Sequence, residues 1–264
     1  MHILGIHGLG QSNGVDIRGL EASTGDTDFP PGLDGWLILG NDNVLMNNIG
    51  SGSYGAFVTV GSNNLLMGNI AKDNFAGFVE FGTDNVFRNN LAVDNGNVGF
   101  GAGPATRAEY RGNVALRCDI GFLTQGGPGA PNVDTEFSNN MAIDSVVDGF
   151  NLAFSTGLKV RNNVVLGAVG SRDGIRLNDV FDSTFLNNVV GGAGNNGFSM
   201  DEALENPEYP GTGSVGNEFR NNESHGNDGY GFYVNPGTGS GHVYINNSCS
   251  GNGLGGSNLP GVCD

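Results

Sequence analysis

Lysine is nearly absent from this 264-residue chain: only Lys72 and Lys159 occur, against 27 acidic residues, and the net charge is −16. Such a surface repels phosphate backbones and anionic lipid, so neither nucleic acid nor a membrane surface is an expected partner. It also opposes tight binding of a polyanion unless a local arginine cluster or a cation intervenes. Long apolar runs are missing, none approaching the ~18 residues of a membrane span. The stretch Met1–Gly10 has neither a basic start nor a long apolar centre, so no signal peptide is visible in it. Charged residues make up only 14%, and the 48 glycines follow no triplet period, which excludes a coiled coil and a collagen-like helix. Cysteine is scarce as well. Cys118, Cys249 and Cys263 form no CxxC pair and no zinc spacing.

What is present is a repeat. DNVLMNNIGSGSYGAFVTVGS begins at Asp42 and is followed directly by NNLLMGNIAKDNFAGFVEFGT, which ends at Thr83. Asn43/Asn64, Leu45/Leu66, Phe57/Phe78 and Gly61/Gly82 are among the identical pairs. A fixed period of this size signals a solenoid, in which each unit buries its apolar face against its neighbours. With looser turn lengths an asparagine recurs as Asn48, Asn69, Asn90, Asn113, Asn140, Asn163, Asn188, Asn222 and Asn247. An apolar residue precedes each by three positions, and a small or β-branched one follows each by two. A glycine and an aromatic or isoleucine then open another strand, at Phe57, Phe78, Phe100, Phe122, Phe150, Ile175, Phe198 and Phe232.

Each unit thus supplies three short strands and three corners, about ten coils stacked ~4.8 Å apart. Equivalent asparagines should form a ladder that satisfies the buried backbone of one corner, and equivalent phenylalanines a stacked core. A leucine-rich horseshoe would need recurrent leucine and a helix per repeat, and neither occurs. The chain is expected to be one all-β domain over 1–264. Residues 1–41 are degenerate coils, with Gly14–Ile17 and Gly35–Ile38 as G-Φ-x-Φ strands around a loop Glu21–Asp34. Regular coils span 42–248 and a cap spans 249–264, where Cys249 and Cys263 are expected to form a disulfide. Such a bond implies an oxidising compartment.

The NN-Φ…N…G-[FI]-x-Φ cycle resembles the right-handed parallel β-helix repeat of the pectin-lyase-like superfamily, across roughly residues 42–248. The terminal N-x-C…P-G-x-C stretch, Asn247–Cys263, also resembles the ends of secreted bacterial members. The resemblance implies a single-stranded right-handed parallel β-helix, an extracellular setting and a polysaccharide partner. It further implies that chemistry belongs on the outer face of the sheet that begins G-Φ-x-Φ.

Alternation assigns to that face Leu37, Val58, Val79, Gly101 and Leu123, then Asn151, Arg176, Ser199 and Tyr233. The first half is apolar and the second polar. Arg176, Asp201 and Tyr233 fall on successive coils and are the expected catalytic groups: an acid, a base and a charge-stabilising cation. Asp173, Glu202, Tyr209 and Asn151 are the expected substrate contacts, beside Asp201–Val215, the longest insertion between coils. The competing reading is a solvated Arg–Asp pair on a sheet surface.

No calcium-type aspartate triad, no polygalacturonase-like NTD, DD, GHG and RIK set, no D-P-H-E and no GGxGxD is found. No cofactor is evident, and calcium is left open. The expected function is a secreted protein that binds or cleaves a polysaccharide, by lyase-type elimination in the favoured version. A non-catalytic cell-surface rod, and an enzyme or binder for an apolar small molecule at the outer sheet, are the alternatives. The apolar half of the outer column is expected to be covered, with a homo-oligomer among the candidates. Glu80 aligns with inward positions, so the choice lies between a buried carboxyl and a reversed strand with Val79 and Phe81 inside. A buried carboxyl would have to be protonated or paired, because an unpaired carboxylate is costly to bury, and the reversed strand is favoured.

Overall fold

The computed structural model describes residues 14, 16–23, 34–127, 129–170, 172–201, 205–206, 209–210 and 213–263. The described chain winds as an all-β, right-handed parallel solenoid, and every coil contributes one strand to each of three sheets. The first sheet runs from Asp16–Arg18 to Val243–Ile245, the second from Glu21–Ser23 to Ser248–Ser250, and the third from Trp36–Leu39 to Gly255–Ser257. Pairing between coils is parallel in all three, as the repeat requires.

Each corner turns on a left-handed residue. At the corner between the first and second sheets these are Asn47, Gly68, Asn89, Gly112, Asn139, Asn162, Asn187, Asn221 and Asn246, all at positive φ. Asparagine and glycine tolerate this region best, which explains the doubled asparagines of the sequence. The second residue of each pair turns inward to build the ladder. Asn140 Nδ2 donates to Tyr110 O (2.9 Å) and Asn163 Oδ1 (3.0 Å), while its own Oδ1 accepts from Asn113 N and Nδ2. The same contacts link Asn48 through to Asn247, and all nine are buried. Shorter ladders occupy the other corners, as Asn43–Asn64–Asn85 and Ser53–Asn74–Asn95.

Inside, Phe57, Phe78, Phe100, Phe122 and Phe150 stack with ring centroids 4.6–5.0 Å apart. Phe87, Tyr110 and Phe137 form a second stack, meeting the first edge-on. Each such contact adds about 0.5–1.5 kcal/mol beyond area burial. Ile175 interrupts the first column, which resumes at Phe198–Phe232. The Cys249–Cys263 disulfide closes the last coil, and Cys118 is a free, fully buried thiol below Asn95.

One alignment is corrected. Asp16–Arg18 pairs with Val44–Met46 in the first sheet, Ile17 facing Leu45, so Gly14–Ile17 is not a G-Φ-x-Φ strand of the third sheet. The described residues before Asp42 therefore make one coil, with Glu21–Ser23 a strand rather than the start of a loop. Residues 24–33 of the expected loop lie outside the described residues.

Candidate functional site

The third sheet keeps the alternation through every coil, because its glycine-aromatic opening fixes the aromatic inside. Trp36 faces Phe57, Leu37 faces Val58, and Val58 faces Val79. Gly101 then connects to Leu123, Asn151, Arg176, Ser199 and Tyr233 in one outward column. Val79 and Phe81 both point out and Glu80 points in, fully buried between Thr59 and Ala102. This overturns the expected strand reversal. Burial raises the Glu80 pKa to about 8, outweighing the lowering influence of Asn85 and Tyr110. The protein escapes the cost of a buried charge by keeping the carboxyl protonated.

The apolar half forms a groove. Tyr54 and Phe75 stack at 4.8 Å along one wall and Phe81, almost half exposed, stands at the other. Val79, Gly101 and Leu123 make the floor of a space of about 430 Å³, which continues past Val58 as a second one of about 300 Å³. Gly101 contributes no side chain to this floor.

The polar half begins one coil beyond Leu123. Asn151 Nδ2 donates to Asp148 Oδ2 (2.8 Å), and Asp148 Oδ1 accepts from the Asp173 backbone (3.2 Å). Burial lifts the Asp148 pKa to about 6, partly offset by the nearby Arg176 charge. Asp173, one coil further, is buried, and its Oδ1 accepts from Asn195 Nδ2, Asn196 N and Asn196 Nδ2. Its position makes it a support beneath the surface rather than an exposed contact. On the surface Arg176 Nε donates to Asp201 Oδ2, and Ser199 Oγ donates to Asp201 Oδ1 (3.2 Å). Arg176 and Asp201 remain 23% and 24% exposed, open enough to meet a ligand.

Tyr233 faces Ser199 across the sheet, which puts it two strands, ~10 Å, from Arg176. Its ring lies against Tyr230, centroids 6.1 Å apart. The structure thus joins Arg176 with Asp201, sets Asn151 on the strand before them, and places Tyr233 further along the same column. Glu202 lies outside the described residues. Tyr209 belongs to a short antiparallel pair, Glu205–Asn206 with Tyr209–Pro210, and its side chain lies outside the description.

Two features escaped the sequence. Asp148 is one: the parallel tripeptides Asp148-Gly149-Phe150 and Asp173-Gly174-Ile175 carried the signal. The other is a matched kink. Phe154 (φ 46°) and Asp179 (φ 53°) are both left-handed and lie side by side, skipped by the pairing of strands Phe150–Thr156 and Ile175–Phe181. A bulky residue rarely adopts this region, and such backbone outliers cluster beside functional sites. These two strands are the ones that present Asn151 and Arg176.

No protein-family model matches the chain, and no curated protein matches it in sequence. Solved structures do match in fold. The A-module of Azotobacter vinelandii mannuronan C-5 epimerase AlgE4 superposes with a TM-score of 0.79 at 18% identity, over 94% of this chain and 72% of that one. An alginate lyase from Paenibacillus sp. gives 0.67 at 10% identity, over 93% and 91%. The catalytic domain of a GH87 α-1,3-glucanase gives 0.62 at 18%, over 95% of this chain and 53% of that one. At these identities the likeness is one of fold.

Proposed function

We propose that the chain acts on an acidic polysaccharide along the outer face of the third sheet, by elimination beside a uronate carboxyl. The observation that carries this reading is the Arg176–Asp201 pair, about a quarter exposed, where an aromatic-walled groove gives way to polar side chains. The groove suits sugar rings, whose apolar faces stack on Tyr54, Phe75 and Phe81. The three structural neighbours carry the names of polysaccharide enzymes, which supports a carbohydrate substrate and leaves the reaction type to the site's own chemistry.

In this reading Arg176 takes the substrate carboxylate and stabilises the charge that builds on it as the adjacent C–H bond breaks. That contact releases Asp201 to accept the proton. The electron pair forms the new double bond, and the glycosidic oxygen departs with a proton from the Tyr233 hydroxyl. Arg176 also supplies the local positive charge that a protein of net charge −16 needs to hold a polyanion. The terminal disulfide supports an extracellular setting.

The test is absorbance of unsaturated products across uronate and neutral glycans, with and without calcium. Asp201→Asn and Tyr233→Phe should each abolish turnover, and Arg176→Lys should raise KM on acidic glycans. Silence across the panel would instead favour a non-catalytic surface module.

A further inference from the structure

The three outer faces differ in kind. The first sheet displays charges, among them Arg88, Arg111, and the pairs Arg161–Glu136 and Arg220–Glu218. The third carries the candidate site. The second is neutral and aliphatic along its middle. One outward column holds seven consecutive aliphatic side chains from Ile49 to Val189, bounded by Glu21 and Glu223. The other holds Val93, Leu116, Ile143 and Leu166, bounded by Lys72 and, past Gly191, His225. These side chains are partly exposed, Leu166 by 39%, and no described strand packs over them.

We propose that this face is the contact between two copies of the chain, related by a two-fold axis that reverses the helix direction. Its extent allows a small interface. Ten strands at ~4.8 Å, each of three residues at ~3.3 Å, give a flat face of ~480 Å². That is below the ~800 Å² per partner of a standard interface and in the range of weaker associations. Its composition suits it too, with an apolar centre and polar ends corresponding to the core and rim of an interface.

The pattern along the sheet sets the orientation. Both aliphatic stretches are centred near the strands Val114–Leu116 and Met141–Ile143, so a two-fold there lays the apolar middle on itself. The same operation carries Lys72 over Gly191 of the partner, one coil from the partner's Glu223. Among the described residues neither Lys72 nor Glu223 makes an ion pair within its own chain. The dimer gives both of them a partner, twice over by symmetry.

Sedimentation of the intact chain tests this. The expected species has twice the chain mass, and Leu116→Glu with Ile143→Glu shifts it to the monomer. These side chains point outward, so the fold should persist in circular dichroism. Should that variant unfold, the charge pair decides. Lys72→Glu should weaken association about tenfold, and Lys72→Glu with Glu223→Lys should restore it. A monomer at every concentration overturns the proposal. So does a dimer that survives both sets of changes, or one dissolved by Val58→Asp with Val79→Asp on the third sheet.

Discussion

Glu80 lies directly over Thr59 in the interior column of the third sheet, and neither Thr59 Oγ1 nor either Glu80 Oε has a hydrogen-bond partner. Asn85 Nδ2 is committed to Gly61 O, and the Tyr110 hydroxyl points to Gly101 O. A carboxyl with its pKa raised to about 8 holds its proton more tightly folded than unfolded. Its favourable contribution is therefore complete below the unfolded value near 4.5 and is lost as pH rises through about 8. The loss should be on the order of a few kcal/mol. Thermal melts at pH 5 and pH 9 should show it, and Glu80→Gln should flatten the slope. An unchanged slope in that variant would assign the effect elsewhere.

The asparagine ladder and the left-handed residue beside it should respond oppositely to substitution. Asn140→Ala removes both Nδ2 bonds and leaves Asn113 N without its acceptor, a loss of about 2–4 kcal/mol. Asn139→Gly, at φ 56°, should be neutral or mildly stabilising, while Asn139→Val should cost about 1–2 kcal/mol. Denaturant midpoints for the three variants check this ordering. A tolerated Asn140→Ala would mean that water replaces the ladder.

The ladder was legible because one chemical need recurs with one answer: the same buried backbone groups call for an amide at Asn48 and at every later coil. The other two corners were not, because their inward position is met by several residue types, from Asn43 and Asn64 to Ala108 and Leu158. The sidedness of the third sheet followed from Phe57 and its successors, since a ring on coil after coil at one position has only the interior to go to. Glu80 was misjudged because alternation alone admits both strand senses there, and the sequence does not show that a protonated carboxyl, only a polar group to bury, fits the inward position. The aliphatic face of the second sheet hid in strands of three residues, where Leu91-Ala92-Val93 shows no clear alternation. Arg176 and Asp201 were legible as neighbours through the coil period. Asp148 was not, since its role depends on a hydrogen bond to Asn151 that periodicity does not encode.

Reducing the terminal disulfide should loosen the last coil before the rest. Cys249 lies in the final strand of the second sheet and Cys263 is 14 residues away. Closing a loop of this size is worth about 3 kcal/mol in the chain-entropy model. Cys249→Ser with Cys263→Ser should therefore lower the melting temperature. It should also raise hydrogen exchange in Val243–Ile245 and Ser248–Ser250 before it does in Met141–Ile143. Exchange rising equally along the solenoid would mean that the bond does not act as a terminal clasp.

The last prediction joins Asp148 to Arg176. Burial raises the Asp148 pKa to about 6, and the Arg176 charge is the largest influence holding it down. The sign follows as for Glu80: the folded protein binds this proton more tightly than the unfolded chain. Its contribution to stability is thus complete below the unfolded value of 3.8 and lost as pH rises through about 6. Removing the cation in Arg176→Gln should move the Asp148 midpoint upward, because the carboxylate loses its favourable neighbour while its burial remains. Carboxyl carbon chemical shifts followed through a pH titration would report that midpoint directly, with Asp148→Asn identifying the resonance. A midpoint that stays near 6 in Arg176→Gln would separate the two residues electrostatically. Asp148 would then support the surface only through Asn151.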